Sequence, residues 1–371
     1  MVRVVWMTAL LAVVSSLAMA QDNWPQFRGP DQNSISTSTG LPVTWSETEN
    51  IVWKTKLPSW SGASPAIWGD RIFVMSPSGP DTPGEEVDLD EPGGKQLLLL
   101  CLNKADGAIL WERPLDNENR YFQKGNDASP SPVTDGTTVW AVTGTGLVYA
   151  FDFEGNQRWK KNLPEDYGKF GQKFGYSSSP ALFEGNLIIE VLHGYYTDEP
   201  SYLLALDGMT GKEVWRQTRP TEAISESPDG YTTPTVFPNN GAPQLLVLGG
   251  DCVTGHDAKT GRELWRVNGL NPKNLDVFRL IASPIAADGM IYVTGRRGPV
   301  FAIKAGGEGD LTATNIVWKW EEAHAPDVPT PICDGTYFYM VDDIGVVYCL
   351  DAKIGGASWG PEHTARGAVS A

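Results

Sequence analysis

Four cysteines in 371 residues are too few and too scattered for a disulfide framework. Cys101, Cys252, Cys333 and Cys349 also lack the C-x-x-C spacing of a zinc site. Each lies in or beside a stretch with strand character, which predicts buried free thiols. Histidine is equally sparse: His193, His256, His324 and His363 are dispersed, and none falls in a metal or nucleophile motif. His256 stands where sister segments carry an apolar residue and is expected to be packed. Basic residues are outnumbered, 29 Lys and Arg against 45 Asp and Glu, for a net charge of −16. A polyanion would meet repulsion and no basic stripe, which argues against nucleic acid as a partner. No run after residue 20 is apolar enough to span a bilayer, so no transmembrane segment is expected. Gly249-Gly250-Asp251 ends a strand rather than opening a helix, so it is not read as a phosphate cradle.

What the chain does have is 40 Gly, 27 Pro and 14 Trp within a composition 41% hydrophobic, which points to many turns, aromatic anchors and no long helices. Residues 1–20 combine Arg3, an apolar run from Val4 to Val14 and small residues at Ala18 and Ala20. That is a signal peptide cleaved after Ala20, and it places the mature chain in the periplasm or outside the cell.

One pattern recurs six times: Ser/Thr-Pro, an apolar strand, a Gly turn, an alternating strand, then apolar-apolar-Asp, Thr-Gly or a bare Gly, and Trp. It opens at Ser64-Pro65, Ser131-Pro132, Ser179-Pro180, Thr233-Pro234, Ser283-Pro284 and Thr330-Pro331, and closes at Trp111, Trp159, Trp215, Trp265, Trp318 and Trp359. Within the units Ile72-Phe73-Val74, Val139-Trp140-Ala141-Val142, Leu187-Ile188-Ile189 and Ile291-Tyr292-Val293 read as strands, mostly bounded by Asp-Gly-type turns. The tryptophan spacing suits a four-stranded blade. A single blade cannot bury both faces, so the blades must stack around an axis. The expected fold is therefore all-β: a β-propeller of four-stranded antiparallel blades, six complete and a seventh shared and truncated. Asn50-Ile51-Val52-Trp53-Lys54 reads as a fourth strand without its first three, and Gly367-Ala368-Val369-Ser370-Ala371 as the start of a first strand. The expected division is a leader at 1–20, an N-terminal extension at 21–49 and a propeller at 50–371, with about 35 to 45 residues wanting at its C-terminal end.

Ala205 to Trp215, which reads Ala-Leu-Asp-x-x-Thr-Gly-Lys-x-x-Trp and is echoed from Gly255 to Trp265, resembles the tryptophan-docking repeat of pyrroloquinoline-quinone (PQQ) enzyme propellers. The same repeat marks the BamB assembly factors of the outer membrane. The opening Asn23-Trp24-Pro25-Gln26-Phe27-Arg28-Gly29-Pro30, followed by Leu41-Pro42 and Trp45-Ser46, is similar to the N-terminal signature of secreted PQQ-like repeat proteins of planctomycetes. The resemblance implies that the six motif tryptophans pack between adjacent blades as structural docking residues, with the nearby Gly and Asp shaping the turn.

The PQQ dehydrogenases of this class carry a vicinal Cys-Cys pair, a calcium ion on carboxylate and amide oxygens and an Asp base. This chain has no Cys-Cys, and neither the acidic stretch from Asp81 to Asp90 nor Asp342-Asp343 forms a recognisable calcium loop. No catalytic, cofactor-binding or metal residue is therefore assigned, and a non-enzymatic binding scaffold with a BamB-like role is the first reading. A PQQ- and calcium-dependent oxidoreductase and a glycan-binding propeller are the alternatives. Almost all the long links and inserts fall on one face of the ring, the exception being Lys304 to Asn315 on the face of tight turns, and on the elaborated face a protein partner or glycan is expected. Trp60, Asp127, Tyr176, Tyr231, Arg279 and Asp327, each just before a first strand, are the candidate partner-binding residues.

Overall fold

A computed structural model describes residues 23–79, 93–122, 125–321 and 325–363. The leader, the acidic stretch 81–90, His324 and the expected first strand 367–371 lie outside the described residues. Six sheets, each built on four antiparallel strands, form blades 1 to 6, at 66–116, 133–162, 181–218, 235–267, 285–320 and 332–363, and the sheet of blade 4 has a short fifth strand. The architecture is an all-β propeller.

The hydrophobic core is divided between the blades. One cluster fills each of the five interfaces between consecutive blades; Phe73, Met75 and Leu99 meet Val139, Tyr149 and Phe151 between blades 1 and 2, for example. This follows from sheets buried on both faces: the second and third strands are buried on both sides, as in Leu187–Val191 and Tyr202–Leu206, whereas the outermost strands are largely exposed.

Two devices that the sequence motif encodes become visible in the ring. The first is the Ser/Thr-Pro hydroxyl. Ser131 Oγ accepts the backbone N–H of Ser64, Ser179 Oγ that of Ser131, Thr233 Oγ1 that of Ser179, Ser283 Oγ that of Thr233 and Thr330 Oγ1 that of Ser283, at 2.9–3.1 Å. Each hydroxyl thus latches its blade to the one before it, and satisfies a backbone donor next to the axis where neighbouring strands diverge.

The second device is a β-bulge just before each motif Trp. In all six blades the register slips by one residue, so that Trp111, Trp159, Trp215, Trp265, Trp318 and Trp359 stand opposite Cys101, Ala150, Ala205, Gly255, Ala302 and Cys349. The bulge re-aims a large ring across a small partner and out toward the next blade. Trp111, Trp159 and Trp318 then donate their indole N–H to the carbonyls of Phe153, Gly208 and Ala352 in the following blade, at 2.8–2.9 Å. Trp159 lies against Gly211, whose φ of +69° and whose missing Cβ, which would sit 2.7 Å from the indole, both require glycine. The motif Asp closes the same turn: Asp207 Oδ1 accepts the backbone N–H and hydroxyl of Thr210. Trp215 packs on Gly261 of blade 4 in the same way.

Two tryptophans depart from the expected docking role. Trp265 folds back on its own blade and donates to Gln244 Oε1 at 2.9 Å, because Gly255 leaves room for the ring where a Cβ would be 2.1 Å away. The turn beyond Lys304, expected as an elaboration of the otherwise tight face, supplies Gly309–Asp310 as a parallel fifth strand beside Trp265 and Arg266. Trp359 is 46% exposed and touches Tyr339 of its own blade, since no further blade follows it among the described residues. Among the described residues, the expected strand 50–54 is hydrogen-bonded into no sheet. Trp53 nevertheless makes the docking contact, donating to Lys104 O at 2.9 Å and lying where a Cβ on Gly107 would fall. All four cysteines are free and buried, and Cys101 and Cys349 owe their place to being small enough to lie under a tryptophan.

Candidate functional site

The two faces of the ring are unlike. On the face of the tight first turns, the axis is filled by the N-terminal extension: Trp24 pairs with Ile67 as an isolated bridge, and Gln26, Arg28 and Gln32 are buried against the innermost strands. On the opposite face, the chain just before the first strands of blades 2 to 6 lines an open cavity of about 500 Å³.

Four of the six residues singled out by position line this cavity: Tyr176, Tyr231, Arg279 and Asp327. Phe174, Ile281, Val328 and Pro329 complete an apolar wall, with Asn126, Ser129, Ser177, Arg297 and Asp343 at the rim. Trp60 and Asp127 support this mouth without lining it. The Trp60 carbonyl accepts Asn126 Nδ2 at 3.1 Å and its ring stands edge-on to Tyr121, while Asp127 is fully buried and holds Arg120 through both its Nε and its backbone N–H at 2.9 Å. The cavity is ringed at a constant offset, two residues before the Ser/Thr, by Ser129, Ser177, Tyr231, Ile281 and Val328. Strand alternation explains this: side chains two apart share a side, so the position two before the latch faces the axis with it. The candidate positions chosen from sequence lay two to four residues before the latch, which is why Ser129, Ser177 and Ile281 were missed.

The charges around the mouth are paired among themselves. Glu226, nearly fully buried, binds Lys173 Nζ at 2.7 Å and Arg279 Nη1 at 2.9 Å, and the Arg279 guanidinium lies 4.9 Å over the Phe174 ring. Arg296 Nε meets Asp327 Oδ2 at 3.1 Å, while Asp343 accepts the backbone N–H groups of Asp327 and Val328. Asp229 accepts the N–H groups of Lys173 and Tyr195, and burial pushes its carboxyl up to about 6. These bonds tie the links 171–176, 193–195, 226–231 and 277–281 into one wall, so its aromatic rings are held in place before any ligand arrives. The Tyr176 hydroxyl and Asp327 Oδ1 have no partner among the described residues.

His256 is held neutral in the core of blade 4: Nδ1 lies 2.9 Å from Gly261 O and must carry the proton, Nε2 accepts from Thr254 Oγ1 at 2.8 Å, and burial pulls the ring down to about 4. The described residues contain no group of three or more His, Cys, Asp or Glu able to hold a metal ion, and no helix among them is long and apolar enough to cross a membrane.

A repeat that latches blade to blade through Ser/Thr-Pro and docks each Trp on the next turn has a counterpart among known proteins. The family described as outer membrane protein assembly factor BamB matches residues 94–360. The chain belongs to this PQQ-repeat propeller family. BamB of Yersinia pestis is 23% identical over 275 residues, covering 62% of this chain and 65% of its own length. The quinohemoprotein alcohol dehydrogenase of Comamonas testosteroni is 27% identical over 207 residues, 53% of this chain and 27% of the enzyme. This PQQ-repeat propeller therefore spans less than two thirds of either relative. Among solved structures, BamB from Moraxella catarrhalis superposes with a TM-score of 0.53 at 14% identity, over 82% of this chain and 73% of that one. The Comamonas dehydrogenase superposes with a TM-score of 0.62 at 13% identity, over 93% and 68%. At such identities the likeness concerns the fold.

Proposed function

We propose that this PQQ-repeat propeller is a non-enzymatic binding scaffold of the periplasm or extracellular space, and that it receives a segment of a protein partner in the cavity at its loop-rich mouth. The observation that carries this reading is the cavity itself: about 500 Å³ walled by Phe174, Tyr176, Tyr231, Ile281, Val328 and Pro329, in a rim whose charges are already paired. Preformed apolar concavities with a few fixed polar groups are where ligands bind. The BamB relatives favour a partner in outer membrane protein assembly.

The oxidoreductase alternative asks these residues to hold PQQ and calcium, and they do not fit it. Calcium needs six to eight converging oxygens, whereas the two carboxylates lining the mouth, Asp327 and Asp343, are engaged by Arg296 and by backbone N–H groups. No redox step is therefore derived for this chain.

The test is fluorescence anisotropy of the full chain with labelled peptides of about 12 residues that alternate apolar and polar residues and carry aromatics near their ends, the pattern of outer membrane barrel strands. Binding is expected, and Ile281→Asp and Tyr231→Ala should each weaken it by about tenfold or more. Peptide affinity untouched by both substitutions would overturn the site. A glycan array signal abolished by the same substitutions would point to the glycan alternative, and dye reduction with added PQQ and calcium to the enzymatic one.

A further inference from the structure

The extension at residues 23–34 touches every blade of the ring. Trp24 exchanges both backbone hydrogen bonds with Ile67, at 2.8 and 2.7 Å, and Asn23 Oδ1 accepts Gly69 N–H in blade 1. The Pro25 carbonyl accepts Thr134 N–H of blade 2 at 2.8 Å, and Gln26 Oε1 accepts Leu182 N–H of blade 3 at 3.2 Å. Gln32 clamps blade 4 with both ends of its amide, donating to Pro234 O at 2.9 Å and accepting Val236 N–H at 2.7 Å. Arg28 spans blades 5 and 6, its two Nη atoms donating to Pro284 O at 3.3 Å and Pro331 O at 3.4 Å.

These are one side of a recognition surface. The innermost strands next to the axis turn unpaired N–H groups and the carbonyls of three Ser/Thr-Pro prolines toward it, and an unpaired strand edge is a template for an added chain. Arg28 is 5% exposed, and among the described residues its Nη atoms meet only carbonyl oxygens, with no carboxylate partner. A guanidinium is tolerated there because it offers a planar fork of donors to groups that can only accept. The segment is also folded to fit: Gly29 has a φ of +82° and lies against the Trp24 ring, 2.9 Å from where its Cβ would be, and Ser34 holds Arg28 Nε at 3.1 Å.

We propose that the tight-turn mouth of the ring is a peptide-binding site of its own, specific for the Trp-Pro-Gln-x-Arg-Gly pattern, and that residues 23–34 occupy it as an intramolecular ligand. Occupancy joins the six blades at their inner ends. It also gives the N-terminal signature a role that the repeat cannot fill.

The test keeps the full chain. A specific protease site is placed in the exposed stretch between Ile35 and Gly40, and the folded protein is cleaved there and passed over a sizing column at micromolar concentration. The freed N-terminal piece is expected to stay with the ring. A labelled synthetic peptide of residues 23–34 should exchange into it, and the same peptide carrying Arg28→Ala should do so with affinity lower by about tenfold or more, since two buried charge-assisted bonds are lost. Prompt loss of the piece with the thermal midpoint unchanged would overturn the proposal. Equal exchange of the two peptides would overturn its specificity. Cleavage after folding keeps both results independent of whether any variant folds.

Discussion

Glu190 offers a quantitative check on the packing of blade 3. Its side chain is fully buried, and Thr232 Oγ1 lies 2.8 Å from Glu190 Oε1 and 2.7 Å from Leu248 O. Thr232 has one proton, and a carbonyl can only accept it. Both short contacts are satisfied when Thr232 donates to Leu248 and Glu190 keeps its own proton to donate to Thr232. Burial agrees, pushing the Glu190 carboxyl from 4.5 up to about 8, against the lowering pull of Thr232 and Arg219. The buried Tyr176 hydroxyl beside it adds no compensating charge. The unfolded chain releases this proton near pH 4.5 and the folded chain only near pH 8. The stability tied to it is therefore fully present below about pH 4.5 and lost as the pH rises to about 8, after which it stays constant. At about 1.36 kcal/mol per pH unit, the loss between pH 5 and pH 8 is about 4 kcal/mol. Glu190→Gln keeps a donor for Thr232 and cannot ionise. Urea unfolding of the two proteins from pH 5 to pH 9 should give curves that nearly meet at pH 5 and separate by about 4 kcal/mol at pH 8, the Gln variant being the more stable. Curves that run parallel would refute the reasoning.

Other consequences concern the ring. Trp159→Ala, which removes a ring packed on Gly211 and bonded to Gly208 O, should cost about 3 to 5 kcal/mol in chemical denaturation. Trp359→Ala, half-exposed with no blade beyond it among the described residues, should cost well under half of that. Ser179→Ala leaves the buried N–H of Ser131 without an acceptor and should destabilise by about 1 to 3 kcal/mol, whereas Ser179→Thr, the residue used at Thr233 and Thr330, should restore most of it. Gly255→Ala places a Cβ on the Trp265 ring and should lower the thermal midpoint and shift indole fluorescence as Trp265 is driven outward.

The order of strands and the number of blades described were legible in the sequence, because alternation, turn chemistry and a recurring Trp are local signals. Why Ser or Thr precedes each proline was not: its hydroxyl serves the preceding blade, about fifty residues earlier, as Ser179 serves Ser131. The mouth was legible as a region, and Tyr176, Tyr231, Arg279 and Asp327 do line it. Phe174, Ser177 and Ile281 were not, since which residue of a link faces the axis depends on where the strand's alternation begins.

From sequence alone the chain reads as four-stranded antiparallel blades stacked face to face around an axis, since a single blade of apolar strands cannot bury both of its faces. Tertiary structure decided what the ring does with its ends: Arg28 and Gln32 reach carbonyls more than two hundred residues away, closing one mouth and leaving the other open. Such contacts leave no periodic trace, because they are made once, across the axis, by side chains whose partners are set only when all six blades are in place.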